Sequence, residues 1–271
     1  MSLQTKNGFN ANEPVSVTKL TLSVIIITKN EEKNIARCLN SVELWADEII
    51  VVDSGSADLT EEICKRYPQV RFSYNPWGGF GPQKKHALSL ASSQWILSLD
   101  ADEVIPPELA REIKTVIADS NFNGYKIQRK NFYRSQWIRH CGWWPEWKLR
   151  LFRRESGCIT NSLVHESVEV KGTVGRLKHP FEHYSYNSVS DFTVKMDLFS
   201  SLGAQNMRRN GRRTSTADAC FRAIWAFCRI YFLKLGFLDG RAGLIIAFSA
   251  MAGIFYRYIK LLELRQDSKK Q

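Results

Sequence analysis

The chain has 271 residues, enough for one large domain or one domain with an appendage. With 44% hydrophobic and 24% charged residues it has the composition of a globular protein, which excludes a largely disordered chain. The net charge of +11 is concentrated at one end: residues 205–271 carry 13 Lys and Arg against 4 Asp and Glu, which predicts an anionic partner surface, acidic lipid or nucleic acid.

Residues 1–19 are polar and lack an apolar core, so they read as a loose extension rather than a signal peptide. The six cysteines show no C-x-x-C and no metal-finger spacing, and reduced thiols in a cytoplasmic compartment follow. Leu20–Ile27 is a β-branched apolar run and predicts a strand, ending in Thr28-Lys29-Asn30-Glu31. Glu32–Val42 has helical spacing. A second strand, Glu48–Val52, ends in Asp53-Ser54-Gly55-Ser56-Ala57-Asp58, and Leu59–Tyr67 predicts a helix. Val70–Tyr74 is a third strand. A helix over Gln83–Ala91 follows Gly78-Gly79-Phe80-Gly81-Pro82, and then a strand over Trp95–Leu99 runs into Asp100-Ala101-Asp102-Glu103.

This β-α-β-α-β-α-β order predicts an α/β fold: a Rossmann-like, mostly parallel sheet flanked by helices. Ligands bind beyond the carboxyl ends of such strands, and three of the strands end in carboxylates or hydroxyls. Asp-x-Asp there supplies hard oxygen ligands suited to Mg²⁺ or Mn²⁺ carrying a diphosphate. Alternatively these residues are the acidic start of the helix announced by Pro106-Pro107. No G-x-G-x-x-G follows the first strand and no P-loop motif occurs, which disfavours dinucleotide oxidoreductases and P-loop NTPases.

Ser23–Glu31, Ile50–Asp58 and Leu97–Glu103 together resemble the inverting family 2 glycosyltransferases of GT-A fold. Within them the chain is similar to the bacterial lipopolysaccharide inner-core β-1,4-glucosyltransferases, a likeness that continues through Leu149–Arg154, Val164-His165-Glu166 and Gly236–Gly240. The resemblance implies a nucleotide-sugar donor, UDP-glucose, and a lipid-linked saccharide acceptor bearing heptose. It places Thr28, Asn30 and Glu31 on the nucleotide pocket, Asp53 on the base, Asp100 near ribose and metal, and Asp102 on the metal. Gln83, Lys84 and Lys85 fall where the family contacts the nucleotide-sugar, and a lysine there offsets diphosphate charge. Ile27 stands before Thr28 where the family often has proline.

Beyond residue 105 the pattern changes to an acceptor half, 106–204, following a donor half over 20–105. Gly124–Arg129 predicts a strand. Six aromatic residues then crowd between Phe132 and Trp147, interleaved with Arg134, Arg139, Lys148, Arg150, Arg153 and Arg154, as suits sugar faces and a phosphorylated acceptor. Inverting transfer needs a carboxylate to take the acceptor proton. Glu166 is the leading candidate, with His165 beside it; Glu146 and Asp191 are the alternatives. His179 and His183 have helical metal-pair spacing, but Pro180 argues against a helix there, so they are not assigned.

Asp191–Met207 predicts an amphipathic helix, followed by the basic Arg208–Arg213 hinge. Phe221–Phe237 is apolar and aromatic with interspersed Arg and Lys, and Ala242–Tyr256 is an uncharged run of fifteen residues, short for a membrane span. Residues 205–271 therefore predict helices lying on an anionic leaflet, at the cytoplasmic face of a bacterial inner membrane, with helices packed as soluble core on the catalytic domain, or a true span, as the alternatives. A nucleic-acid-binding protein and an inactive nucleotide-sugar-binding scaffold are the competing readings. Segregation of positive charge with apolar helices favours lipid over polynucleotide.

Overall fold

The computed structural model describes residues 21–118, 121–160 and 168–267. The first strand, β1 (Leu22–Thr28), is buried along its whole length. That is why its sequence is continuously apolar rather than alternating: it lies between two parallel neighbours with both faces covered. It is followed by α1 (Ile35–Asn40), β2 (Glu48–Asp53), α2 (Thr60–Cys64), β3 (Val70–Tyr74), α3 (Phe80–Leu90) and β4 (Trp95–Asp100). Strand order β3-β2-β1-β4 is parallel throughout, with Thr28 beside Asp53 and Ile27 beside Asp100. The expected strand ends therefore meet along one edge.

The four predicted strands of residues 20–105 recur within one or two residues, whereas the strand read as Gly124–Arg129 extends to Tyr133. The helices differ more: α1 and α2 are shorter than their periodic segments, and α3 begins at Phe80 rather than Gln83. Pro82 sits in the first turn of α3, where a missing N–H breaks no helical hydrogen bond.

After Asp102 come β5 (Glu103–Val104), α4 (Pro107–Ala118), β6 (Gly124–Tyr133), β7 (Gln136–Trp137), β8 (Trp147–Arg153), β9 (Gly157–Ile159), β10 (Val168–Val170), β11 (Val174–Arg176) and β12 (Phe181–Tyr186). Strand β8 pairs antiparallel with β4, β6 antiparallel with β8, and β12 parallel with β6. The short β5 joins antiparallel to β12, with Glu103 beside His183. The sheet thus curls until residues following β4 face the far strands. Mixed α/β architecture with a parallel N-terminal sheet, as expected, is what the chain adopts.

Three helices close the chain: α5 (Val189–Arg209), α6 (Thr216–Cys228) and α7 (Gly240–Asp267). Ser188 begins α5 with a capping box, its hydroxyl accepting the Asp191 N–H while Asp191 accepts the Ser188 N–H. The segment read as one apolar stretch over Phe221–Phe237 is broken: α6 unwinds through a π-helical turn (Arg229–Leu233) and a 3₁₀ turn (Gly236–Asp239), with Leu235 at φ 54° between them. Helix α7 packs against both α5 and α6. Its Ala242 and Ile246 join Tyr133, Ile138, Cys141 and Phe192 in one buried cluster, so the tail shares a core with the acceptor half.

Candidate active site

The loop after β1 is stitched to the loop after β2. The Asn30 N–H donates to Ser56 Oγ (2.8 Å), its Oδ1 accepts from Ala57 N (2.8 Å), and the Glu31 N–H donates to Thr60 Oγ1 (2.8 Å). Asn30 adopts φ 55°, in the left-handed region asparagine tolerates. Asp53 is buried, and its carboxylate accepts the N–H groups of Gly55 (2.7 Å) and Ser56 (2.8 Å) and the Ser56 hydroxyl (2.5 Å). It therefore shapes the turn after β2. Thr28 Oγ1 is buried at the end of β1 without a hydrogen-bond partner.

At the end of β4, Asp100 lies between two cations: Lys84 Nζ is 2.9 Å from Oδ1 and an Arg150 nitrogen 2.6 Å from Oδ2. Burial pushes its pKa up, but Arg150 and Lys84 outweigh that and hold Asp100 well below the usual carboxylate range. Arg150 also pairs with the fully buried Glu103, which accepts the Asp100 N–H (3.0 Å) and has Arg129 3.7 Å away. Buried charges survive because they are paired in this way. Gln83, beside Lys84, is spent on structure: its amide bonds Ser54 Oγ (2.7 Å) and the Asn75 main chain and side chain.

Asp102 faces the opposite way along the ledge. Its Oδ2 is 3.4 Å from His183 Nε2, brought there by the β5–β12 pairing. His183 Nδ1 is 2.6 Å from Asn131 Oδ1, and Asn131 Nδ2 donates to Glu146 Oε2 (3.0 Å). Glu146 in turn pairs with Arg129 (2.8 Å) and Lys148 (2.9 Å). A chain of polar contacts therefore leads from Asp102 through His183, Asn131, Glu146, Arg129, Glu103 and Arg150 to Asp100. Burial raises the Asp102 pKa and His183 opposes it, leaving the group below its ordinary value.

Asp102, Glu31 and Lys195 line a cleft of about 330 Å³ with Asn30, Tyr184 and Asp191. Glu31 is pushed up to about 7, chiefly by burial and then by the Asp102 charge. Glu146 goes the other way, to about 2: burial would raise it, but Arg129, Lys148 and Asn131 prevail. So low a pKa makes a weak proton acceptor near neutrality. Asp191 lines the cleft, yet its oxygens hold the α5 cap through Asn187 N (2.7 Å), Ser188 N (3.0 Å) and Ser188 Oγ (2.9 Å). Glu166 and His165 lie outside the described residues.

His183 had no role from its sequence spacing. Pro180 does exclude a helix, but the strand that forms instead aims His183 at Asp102, while His179 bonds Glu112 on α4 (2.8 Å). The alternation Phe181, His183, Ser185 was the available signal. Arg150, read as one of several acceptor-facing cations, is 6% exposed and committed to Asp100 and Glu103. The aromatic cluster divides: Trp143 packs with Tyr186 and Phe192, while Trp137 meets Trp144 edge to face.

The profile of glycosyl transferase family 2 matches residues 23–168. A lipopolysaccharide core biosynthesis glycosyltransferase, LpsC of Rhizobium meliloti, is 31% identical over 261 residues, covering 89% of this chain and 94% of LpsC. An uncharacterized glycosyltransferase of Rickettsia typhi is 31% identical over 271 residues, covering 92% of this chain and 88% of its own. Among solved structures, residues 1–349 of S. aureus TarS align over 92% of both chains with a TM-score of 0.46 and 17% identity.

Proposed function

The chain belongs to glycosyl transferase family 2, and from that premise we propose that it moves a hexose, glucose from UDP-glucose, onto a lipopolysaccharide inner-core heptose or a related glycolipid. The kinship with LpsC supports the acceptor class; the sequence resemblance supports the sugar. The observation that carries the reading is the ledge itself, where Asp102 opens on the cleft beside His183 and Asp100 is held by Lys84 and Arg150.

A divalent ion fits this donor set. One carboxylate oxygen and one imidazole nitrogen face each other, and among the described residues no third His, Cys, Asp or Glu joins them. A site this sparse suits Mg²⁺ or Mn²⁺, which take remaining ligands from diphosphate and water. When bound, such an ion offsets charge developing on the departing diphosphate.

The chain's own residues do the rest. Thr28, with its unpartnered hydroxyl, Asn30, Glu31 and Asp53 form the shelf for the nucleotide. Buried Lys84, 2.9 Å from Asp100, holds that carboxylate at the strand end and offsets its charge where the diphosphate would approach. Glu166 takes the proton of the acceptor hydroxyl as its oxygen bonds to the anomeric carbon and the bond to the diphosphate breaks, inverting the centre. The basic helical tail holds the enzyme at the cytoplasmic face of the inner membrane, where a lipid-linked acceptor resides.

A panel of nucleotide sugars assayed on defined core acceptors, with the product linkage read by NMR, tests this reading. UDP-glucose should give the fastest turnover, and Asp102→Ala should reduce kcat by about a hundredfold or more. Full activity in excess chelator, or no transfer from any nucleotide sugar, sinks it.

A further inference from the structure

The outer face of α6 and the two irregular turns after it carry large apolar side chains that none of the described residues covers. Phe221, Leu233 and Ile224 are 71, 66 and 60% exposed, and Trp225, Phe232 and Leu238 are each more than half exposed. Ring contacts link part of this surface to α7: Phe227 lies 6.3 Å from Phe232 and 4.9 Å from Phe248. An exposed apolar surface of this kind marks a contact with another phase or protein. The uncharged Ala242–Tyr256 run turns Ala242, Ile246 and Ala247 inward but leaves Leu244, Phe248 and Tyr256 exposed beside the patch.

Charge selects the occupant. Exposed Arg229 and Arg241 flank the turns, Arg209, Arg212 and Arg213 stand exposed at the far end of α6, and the whole segment carries 13 basic against 4 acidic residues. A second copy of the chain would set two strongly positive faces against each other. An anionic bilayer answers both the charge and the apolar side chains.

The same turns are fixed to the acceptor side. Buried Asp239 accepts the N–H groups of His140 (2.8 Å) and Arg139 (3.2 Å) and contacts His140 Nδ1 (3.2 Å). Gln136 donates to its carbonyl (3.0 Å), and the Cys141 N–H donates to the Lys234 carbonyl (3.0 Å). Gly142, at φ 76°, backs onto the Lys234 side chain, where a Cβ would collide.

We propose that the α6 outer face and the 229–238 turns are the seat of the protein on an anionic phospholipid bilayer, and that Asp239 latches this seat to the 136–143 loop, so that docking orders the acceptor side. This rests on the reading of a lipid-linked acceptor, and it names the surface and the coupling.

Vesicle co-sedimentation of the full chain tests it, with UDP binding by calorimetry as a separate readout of the fold and donor site. Wild type should bind vesicles of phosphatidylethanolamine with phosphatidylglycerol, release in high salt, and ignore phosphatidylcholine alone. The variant Trp225→Ser/Phe232→Ser/Leu233→Ser/Leu238→Ser should bind the anionic vesicles at least about tenfold more weakly while keeping UDP affinity. Vesicle binding unchanged in that variant, equal binding to neutral vesicles, retention through high-salt wash, or a stable dimer in solution with no vesicle binding overturns the surface. For the latch, hydrogen exchange at residues 136–143 should slow when vesicles are added to wild type and not to Asp239→Ala or Asp239→Asn. Exchange there indifferent to vesicles in wild type overturns the coupling. Loss of UDP binding in wild type would instead strike the transferase reading and leave the bilayer result standing.

Discussion

Glu31, in the cleft beside Asp102, and Glu146, in the chain of polar contacts that leads from Asp102 to Asp100, are driven in opposite directions. Burial beside Asp102 raises Glu31 to about 7, whereas two cations and an amide depress Glu146 to about 2. A carboxyl raised in the folded state is held at no cost below its ordinary value and costs stability as pH climbs from there through 7. Glu31→Gln keeps an acceptor for the Asn34 amide and should raise Tm at pH 8, with a gain on the order of 2 kcal/mol that shrinks toward pH 5. Thermal melts across that range check it. Glu166→Gln should abolish turnover while leaving nucleotide-sugar affinity intact, measured by calorimetry beside a rate assay; near-normal turnover removes Glu166 from the base role. At this scale the sequence exposed only residues whose position follows from a strand end. Thr28, Asp53, Asp100 and Asp102 were legible because an apolar run stops at each. Arg150 and His183 were not, because their partners lie 50 and 81 positions away, across strand pairings that local pattern does not encode.

Elements were legible in proportion to their burial on both faces. Strands β1, β2 and β4 announce themselves by unbroken apolar runs, whereas β5, β7 and β9–β11 are two or three residues long and carry no periodicity to read. The break after α6 was missed for a different reason: π and 3₁₀ turns keep the aromatic composition of the helix they interrupt. At the break α7 approaches closely, and Gly243 sits against the Gly236 carbonyl with no room for a Cβ. Gly243→Ala should therefore destabilise the tail by about 1–3 kcal/mol. Gly253→Ala, ten residues on in the same helix and with Met196 Cγ at an ordinary 3.4 Å, should be neutral or stabilising by up to about 1 kcal/mol. Denaturant midpoints of the two variants separate packing from propensity.

For the whole molecule, length and charge suggested one large domain, or one domain with a basic appendage. The domain is there, but Tyr133, Ile138, Cys141 and Phe192 complete their core with Ala242 and Ile246. Truncation after Asn206 should consequently lower the melting temperature of what remains and raise its binding of a hydrophobic dye; a truncated chain melting like wild type would show the shared core to be dispensable. The positive excess of residues 205–271 coincides with exposed Phe221, Trp225 and Phe232, although Tyr74, Trp77, Phe122 and Phe199 are exposed outside that segment.

The bond from Gln136 to the Asp239 carbonyl spans 103 positions of sequence. A ribosome adding about 5–20 residues per second needs on the order of ten seconds to cover that distance. During that interval strands β1–β4 are already made, but nothing is yet in place to fasten the 136–143 loop. Each newborn molecule thus has its parallel strands before Asp239 exists to secure that loop.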